Sequence, residues 1–144
     1  MSMSPDKIAD LRVKELEVLQ AVIARLANYG ATLKNYCITL STAVCGFAIT
    51  SQHPSASLLA LLPVSVCALL DAQYLRNERR FRELFHVLRQ QDWSTQPTFN
   101  IQLSQAPNES YLRALLSWSV VYFYGSLAVA VVAAALIAGQ RSHG

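Results

Sequence analysis

The apolar positions along this chain obey two different rules. Over residues 5–32, "PDKIADLRVKELEVLQAVIARLANYGAT", they recur at helical spacing. Ile8, Leu11, Leu19, Val22, Leu26 and Tyr29 share a face with Glu15, and Leu16, Val18 and Ile23 lie beside it. The pattern predicts an amphipathic helix of about 40 Å. Ser4 or Pro5 starts it, Asp6 and Asp10 sit near the positive end of its dipole, and Asp10–Lys14 pairs on the wetter side. Such a helix is too polar to span a membrane. Its apolar stripe calls for a cover: a partner helix, another subunit or a membrane surface.

Elsewhere the apolar residues run on without a polar face. Residues 35–70 and 114–140 hold no Asp, Glu, Lys or Arg, a segregation of charge that membrane spans produce and soluble cores do not. Three crossings are expected, over 34–53, 57–75 and 111–140. The first is rich in hydroxyls and ends in an uncharged turn at 53–56. The second contains Pro63, tolerated near a helix end where neighbours satisfy the freed carbonyl. The third is long enough to tilt, with Asn108 as its expected N-cap after Pro107.

The second span does not stop at the interface. The stretch "LLALLPVSVCALLDAQYLRNERRFRELF" carries helix on over 76–91, supported outside lipid by i,i+4 pairs Glu78–Arg82 and Arg79–Glu83. Leu75, Phe81, Leu84, Phe85 and Leu88 keep apolar surface in that extension. The helix within 1–33 emerges beside it, so the two faces are expected to cover each other. The fold class predicted is therefore all-α: a membrane bundle of three transmembrane helices with a cytoplasmic two-helix stalk. Residues 92–110, polar and punctuated by prolines, are expected to be a linker.

Composition sharpens this picture. Hydrophobic residues make up 53% and charged residues 15%, against about 25% charged in ordinary soluble domains. The polar N-terminal segment lacks the short basic tip and apolar core of a cleaved signal. Six arginines fall within 76–113, none in the 53–56 turn, and only Arg141 follows Gly139. That asymmetry, with Arg25 and Lys34 before the first span, places the N-terminus and 76–113 in the cytoplasm and the C-terminus outside. The net charge of +3 is small and sits beside the spans, so nucleic acid is not an expected partner. Cys37, Cys45 and Cys67 form no CxxC and are odd in number; they are expected to be small packing residues, with no metal and no cofactor.

A few residues stand out chemically. Asp71 is the one carboxylate at membrane depth, where a charge costs about 1–3 kcal/mol unless paired. Lys34 stands at the same end of the antiparallel first span, so an intramembrane Lys34–Asp71 ion pair is expected. It serves as a pin between helices, as an ion or proton site, or as a plain interfacial carboxylate. Asn35, Thr39, Thr42, Gly46 and Thr50, continuing to His53, form a polar stripe on one face. The stripe suits helix packing or a narrow wet path, and three spans per chain could enclose such a path only in a homo-oligomer. Ser126, Ala130, Ala134 and Ala138 make a small-residue ridge for close helix packing, with Trp118, Tyr122 and Tyr124 as anchors or packing groups below it. Arg76, Arg79, Arg80 and Arg82 orient the chain. They also suit anionic lipid headgroups, an acidic cytoplasmic partner or a nucleotide phosphate. His86 has no companion at metal-ligand spacing and is expected to be solvated or packed. No nucleophile–base set, glycine-rich loop or metal cluster is present, so an enzyme is not expected.

Two blocks carry a family resemblance. "LKNYCITLSTAVCGFAI" resembles a K-x-W/Y-x-I-T-L opening of a first span. "LLPVSVCALLDAQYLRNERRFRELF" resembles an L-D-A-x-Y-L-R-x-E-R-x-F-R-x-L-Y foot of a second, with Phe85 in place of the tyrosine. Together with "SWSVVYFYGSL" they make the chain similar to small bacterial multi-span inner-membrane proteins of mobile or phage-defence operons, encoded beside a cytoplasmic sensor or TIR-like partner. On that resemblance Lys34, Asp71, Tyr74, Arg76, Glu78, Arg79 and Arg82 are the residues carried over. The implied role is an oligomeric effector in antiviral defence that perturbs the bilayer when its partner signals. A membrane anchor or scaffold that recruits a cytoplasmic protein through the stalk is the alternative. An accessory subunit of a transporter is a third.

Overall fold

The computed structural model describes residues 4–51, 53–93, 96–99 and 101–142, and omits the side chains of Pro54, Arg141 and Ser142. Gln52, near the end of the expected first span, and Ser94, Thr95 and Asn100 of the expected linker lie outside the described residues, as does the side chain of Arg141. Among the described residues the chain is all helix and turn, with no strand. Helix α1 spans Pro5–Thr50, a 3₁₀ helix spans Pro54–Ala60, and α2 spans Leu61–Gln90. A short 3₁₀ turn, Leu103–Gln105, leads to α3 (Tyr111–Leu115) and α4 (Trp118–Ser142).

The first finding is a correction. The amphipathic segment and the first apolar segment are one helix of 46 residues, about 70 Å long, rather than two elements. Nothing between residues 30 and 35 supplies a proline or a cap that would stop it. What changes there is the solvent its side chains suit, not the backbone. Proline opens the helix at its first position, where a missing N–H costs nothing.

At the far end, Pro54–Ala60 winds as 3₁₀ before α2 begins. Pro63 therefore falls in the first turn of α2, where a proline is tolerated, rather than in the helix interior. From there α2 runs without a break through the apolar stretch and the charged one, as expected, and ends at Gln90.

The third apolar segment is also corrected. It is not one helix over 111–140; α3 ends at Leu115 and α4 starts at Trp118. The carbonyl of Ser117 accepts from the N–H groups of Val120 and Val121, so Ser117 acts as the entry residue of α4. Asn108 does not cap α3, whose flanking residue is Ser110. Its Oδ1 accepts instead from Arg76.

Helices α1 and α2 pack antiparallel along most of their length. Helix α4 meets Arg79 of α2 at its start and the Pro54–Ala60 turn farther along, so it runs parallel to α1. Two apolar cores result. One joins Cys37, Val64, Cys67, Val120 and Tyr124 across all three helices. The other, toward the helix ends at residues 5 and 90, joins Leu19 and Leu84 to Ala106, with Ile23, Phe81, Phe85, Leu88, Ile101 and Leu103 around them. The stalk expected from the pattern is therefore three-sided. Residues expected to form a mere linker close it, with Pro97 and Ala106 buried.

Ser55–Gln90 and Trp118–Gln140 are each long and apolar enough to cross a membrane. The C-terminal half of α1 does not reach that apolarity, because Lys34, Asn35, Thr39, Ser41, Thr42 and Thr50 dilute it.

Candidate functional site

At the waist between the two cores, Lys34 Nζ stands 2.8 Å from Asp71 Oδ2. Asp71 is 3% exposed, so this is the expected pair, buried. At that distance the ammonium compensates the charge of the buried carboxylate. Lys34 Nζ also lies 5.8 Å from the centre of the Phe123 ring, a cation–π distance. One ammonium therefore ties α1 to α2 and α4 together.

Gly30 makes this approach possible. A Cβ at that position would stand 2.8 Å from Asp71 Oδ1, closer than real contacts allow. One turn farther out, Cys37 and Cys67 meet in the outer core, as the antiparallel register of Lys34 and Asp71 requires. One turn the other way, the rings of Tyr29 and Tyr74 lie 5.7 Å apart. A cavity of about 220 Å³ opens beside the pair, lined by Gly30, Lys34, Asp71, Tyr74, Glu78 and Ser119 among others. It is large enough to bring water to the ion pair.

From residue 30 onward the residues that seat α1 against its neighbours are Gly30, Cys37, Ser41 and Ala48, all small and all buried. Within the chain this seam, and not the predicted polar stripe, is the packing face. Asn35, Thr39, Thr42, Gly46 and Thr50 are exposed, with His53 beyond them. The Thr39 hydroxyl donates to the carbonyl of Asn35, and that of Thr50 to Gly46 and Phe47, all within α1. Gly46 has open space in front of it. The ridge on α4 is likewise not the packing face: Val120, Tyr124 and Val131 are buried, Ser126 and Ala130 are exposed, and Ala134 and Ala138 are half-buried.

Apolar side chains cover the outside of this half of the molecule. Tyr36, Leu40 and Phe47 on α1, Leu62 and Val66 on α2, and Val129 and Leu136 on α4 are each at least half exposed. At the start of α4, Trp118 is 75% exposed and its ring meets that of Tyr122 edge-on at 5.9 Å. Tyr124 turns inward instead.

The arginines of α2 take a role that sequence spacing did not reveal. Arg76 donates through Nε to the Glu109 carbonyl at 2.7 Å and through Nη2 to Asn108. Arg79 pairs with the Glu109 carboxylate at 2.9 Å and donates to Ser117 Oγ, so the predicted Arg79–Glu83 pair is not made. Arg80 reaches the carbonyls of Leu103, Ala106 and Pro107. Three guanidinium groups thus strap residues 103–117 onto α2, and Tyr111 adds a bond to the Leu69 carbonyl. Only Arg82, paired with Glu78, keeps to its own helix. His86 is exposed and lies edge-on to Phe85.

At the far end of the stalk, Arg12 and Glu15 are both buried. Their pair, 3.1 Å long, extends to Gln91 and to the N–H of Phe99, whose φ of 53° marks the bend that delivers it. Glu15 had a signal, a carboxylate on an apolar face; Arg12 and Phe99 had none. Among the described residues no cluster of His, Cys, Asp and Glu could hold a metal ion.

No family model matches the chain, and no similar curated protein or solved structure was found.

Proposed function

We propose that this chain is an inner-membrane protein with three crossings, the C-terminal half of α1 supplying one beside α2 and α4. The stalk and N-terminus lie in the cytoplasm and the C-terminus outside, and the protein works as an oligomeric effector that perturbs or gates the membrane. The exposed apolar girdle supports the membrane placement, because a monomeric soluble surface rarely shows so large a patch. Residues 34–50 cover about 25 Å, close to the hydrocarbon thickness. The arginine distribution supports the orientation.

The observation that carries the effector reading is the polar stripe. Thr39, Thr42, Gly46 and Thr50 face away from their own chain at membrane depth. The Thr39 and Thr50 hydroxyls donate within α1, yet lipid offers their oxygens no donor, while a second copy or water does. Copies that meet along the open flank of Gly46 would bring hydroxyl rows together around a wet path. A cytoplasmic partner in antiviral defence would trigger the assembly through the stalk.

Potassium efflux and depolarisation on expression in bacteria test this reading. The expected result is a leak that Thr39→Leu abolishes at unchanged protein level and Asp71→Ala alters. Absence of leak under every trigger would overturn it. The anchor reading predicts instead that Thr39→Leu is silent while substitutions at Arg79, Arg80 or Arg82 abolish recruitment. Arg79 and Arg80 are already bonded to the chain's own 103–117 segment, which leaves that alternative less support.

A further inference from the structure

Where the arginine straps meet the start of α4, a second cavity of about 340 Å³ opens to the outside. It is lined by Arg79, Arg80, Glu83, Pro107, Asn108, Glu109 and Arg113. Its height follows from the fold. Arg79 Nη2 bonds Ser117, the residue before α4, and Trp118 beside it is the exposed aromatic expected at a membrane–water boundary. Arg79 lies eight residues below Asp71 on α2, about 12 Å along the axis. In the membrane placement proposed above, on which this inference rests, the cavity therefore opens into the headgroup layer.

Its chemistry suits a phosphate. Arg79 and Arg80 are immobilised by the bonds already described, so their remaining donors are fixed in place. Arg80 Nη1 makes no hydrogen bond among the described residues, and Glu109 is neutralised by Arg79. Arg113 is exposed, forms no ion pair among the described residues, and reaches the same opening. Three arginines against two glutamates leave the lining positive. Flanking Arg113 in the chain, Leu112 on α3 and Leu116 just after it are 64% and 73% exposed, four residues apart. They offer apolar surface next to the cationic mouth. A free anion would use only the arginines; a lipid uses both.

We infer that this cavity binds the phosphate of an anionic phospholipid of the cytoplasmic leaflet, with Arg113 and Arg80 on the headgroup and Leu112 and Leu116 against its acyl chains. Guanidinium groups match phosphate oxygens in pairs, and fixed arginines lose little freedom on binding.

Native mass spectrometry of the full chain in neutral detergent, titrated with phosphatidylglycerol or phosphatidylcholine, tests this. Phosphatidylglycerol is expected to be retained in preference, and Arg113→Gln to weaken it about fivefold, as loss of one interfacial arginine implies. Arg25→Gln removes an exposed arginine of α1 that does not line the cavity, and is expected to change nothing. Excess inorganic phosphate is expected not to displace the lipid. Equal retention of both lipids, equal losses in the two variants, or full displacement by phosphate would each overturn the inference. Failure of the membrane placement shows separately, as a chain that stays soluble without detergent.

Discussion

A methyl group at residue 30 would stand 2.8 Å from Oδ1 of Asp71, so Gly30 and Asp71 touch only because Gly30 has no side chain. The contact sets how near α1 lies to α2, and hence whether Lys34 reaches the carboxylate. Gly30→Ala is expected to lower the melting temperature in detergent. The overpacking, about 1–3 kcal/mol, exceeds the roughly 1 kcal/mol that alanine gains as a helix former. In an Asp71→Ala background the clash is gone and the same substitution is expected to stabilise. Unchanged sign in the two backgrounds would contradict the contact.

The ion pair is expected to be asymmetric. Lys34→Met strands a carboxylate whose side chain is 4% exposed, at a cost of about 3 kcal/mol or more, whereas Asp71→Ala leaves a lysine 25% exposed beside a cavity that admits water. The lysine variant should therefore melt lower, and the double variant should lose less than the sum. A double-mutant cycle in detergent measures both.

Strapping by the arginines makes a local prediction. Arg80→Ala is expected to speed amide exchange across residues 101–110 severalfold while leaving α1 protected, because charge-assisted bonds of about 1.5–3 kcal/mol each hold that segment. Arg80→Lys should rescue little, since one ammonium cannot reproduce the planar fork that spans separate carbonyls. Exchange that rises equally along α1 would argue for global loosening instead.

Orientation is checked by reporter fusions. A cytoplasmic reporter after residue 91 and a periplasmic one after residue 144 are both expected to be active. A periplasmic position for Arg80 would contradict the proposed topology.

How much of this was legible beforehand depended on the kind of signal. Asp71 and Lys34 stood out because charge is scarce around them, and the register of two antiparallel helices does the rest. The stalk was legible from helical spacing, because Leu19 and Ile23 on α1, and Phe81, Leu84 and Leu88 on α2, recur at intervals that a helix brings to one face. The unity of α1 was hidden by a change of polarity that mimics a boundary. The packing face of its C-terminal half was hidden for another reason. Threonines draw the eye, but Cys37, Ser41 and Ala48 let the helices approach, and size matters more than polarity there. The partners of Arg76, Arg79 and Arg80 lie some thirty residues away in an irregular segment, where no periodicity speaks. Phe123 over Lys34 depends on how α4 is rotated, which the uniform apolarity of that helix leaves open.

Because α1 is a single rod with no joint between Arg12 and Thr50, it behaves as a crankshaft. A torque applied to its N-terminal tip arrives at Thr39 and Thr42 with the same angle, since backbone hydrogen bonds would have to break for it to dissipate along the way. Lys34, gripped from two sides, is the bearing about which any such turn must slip.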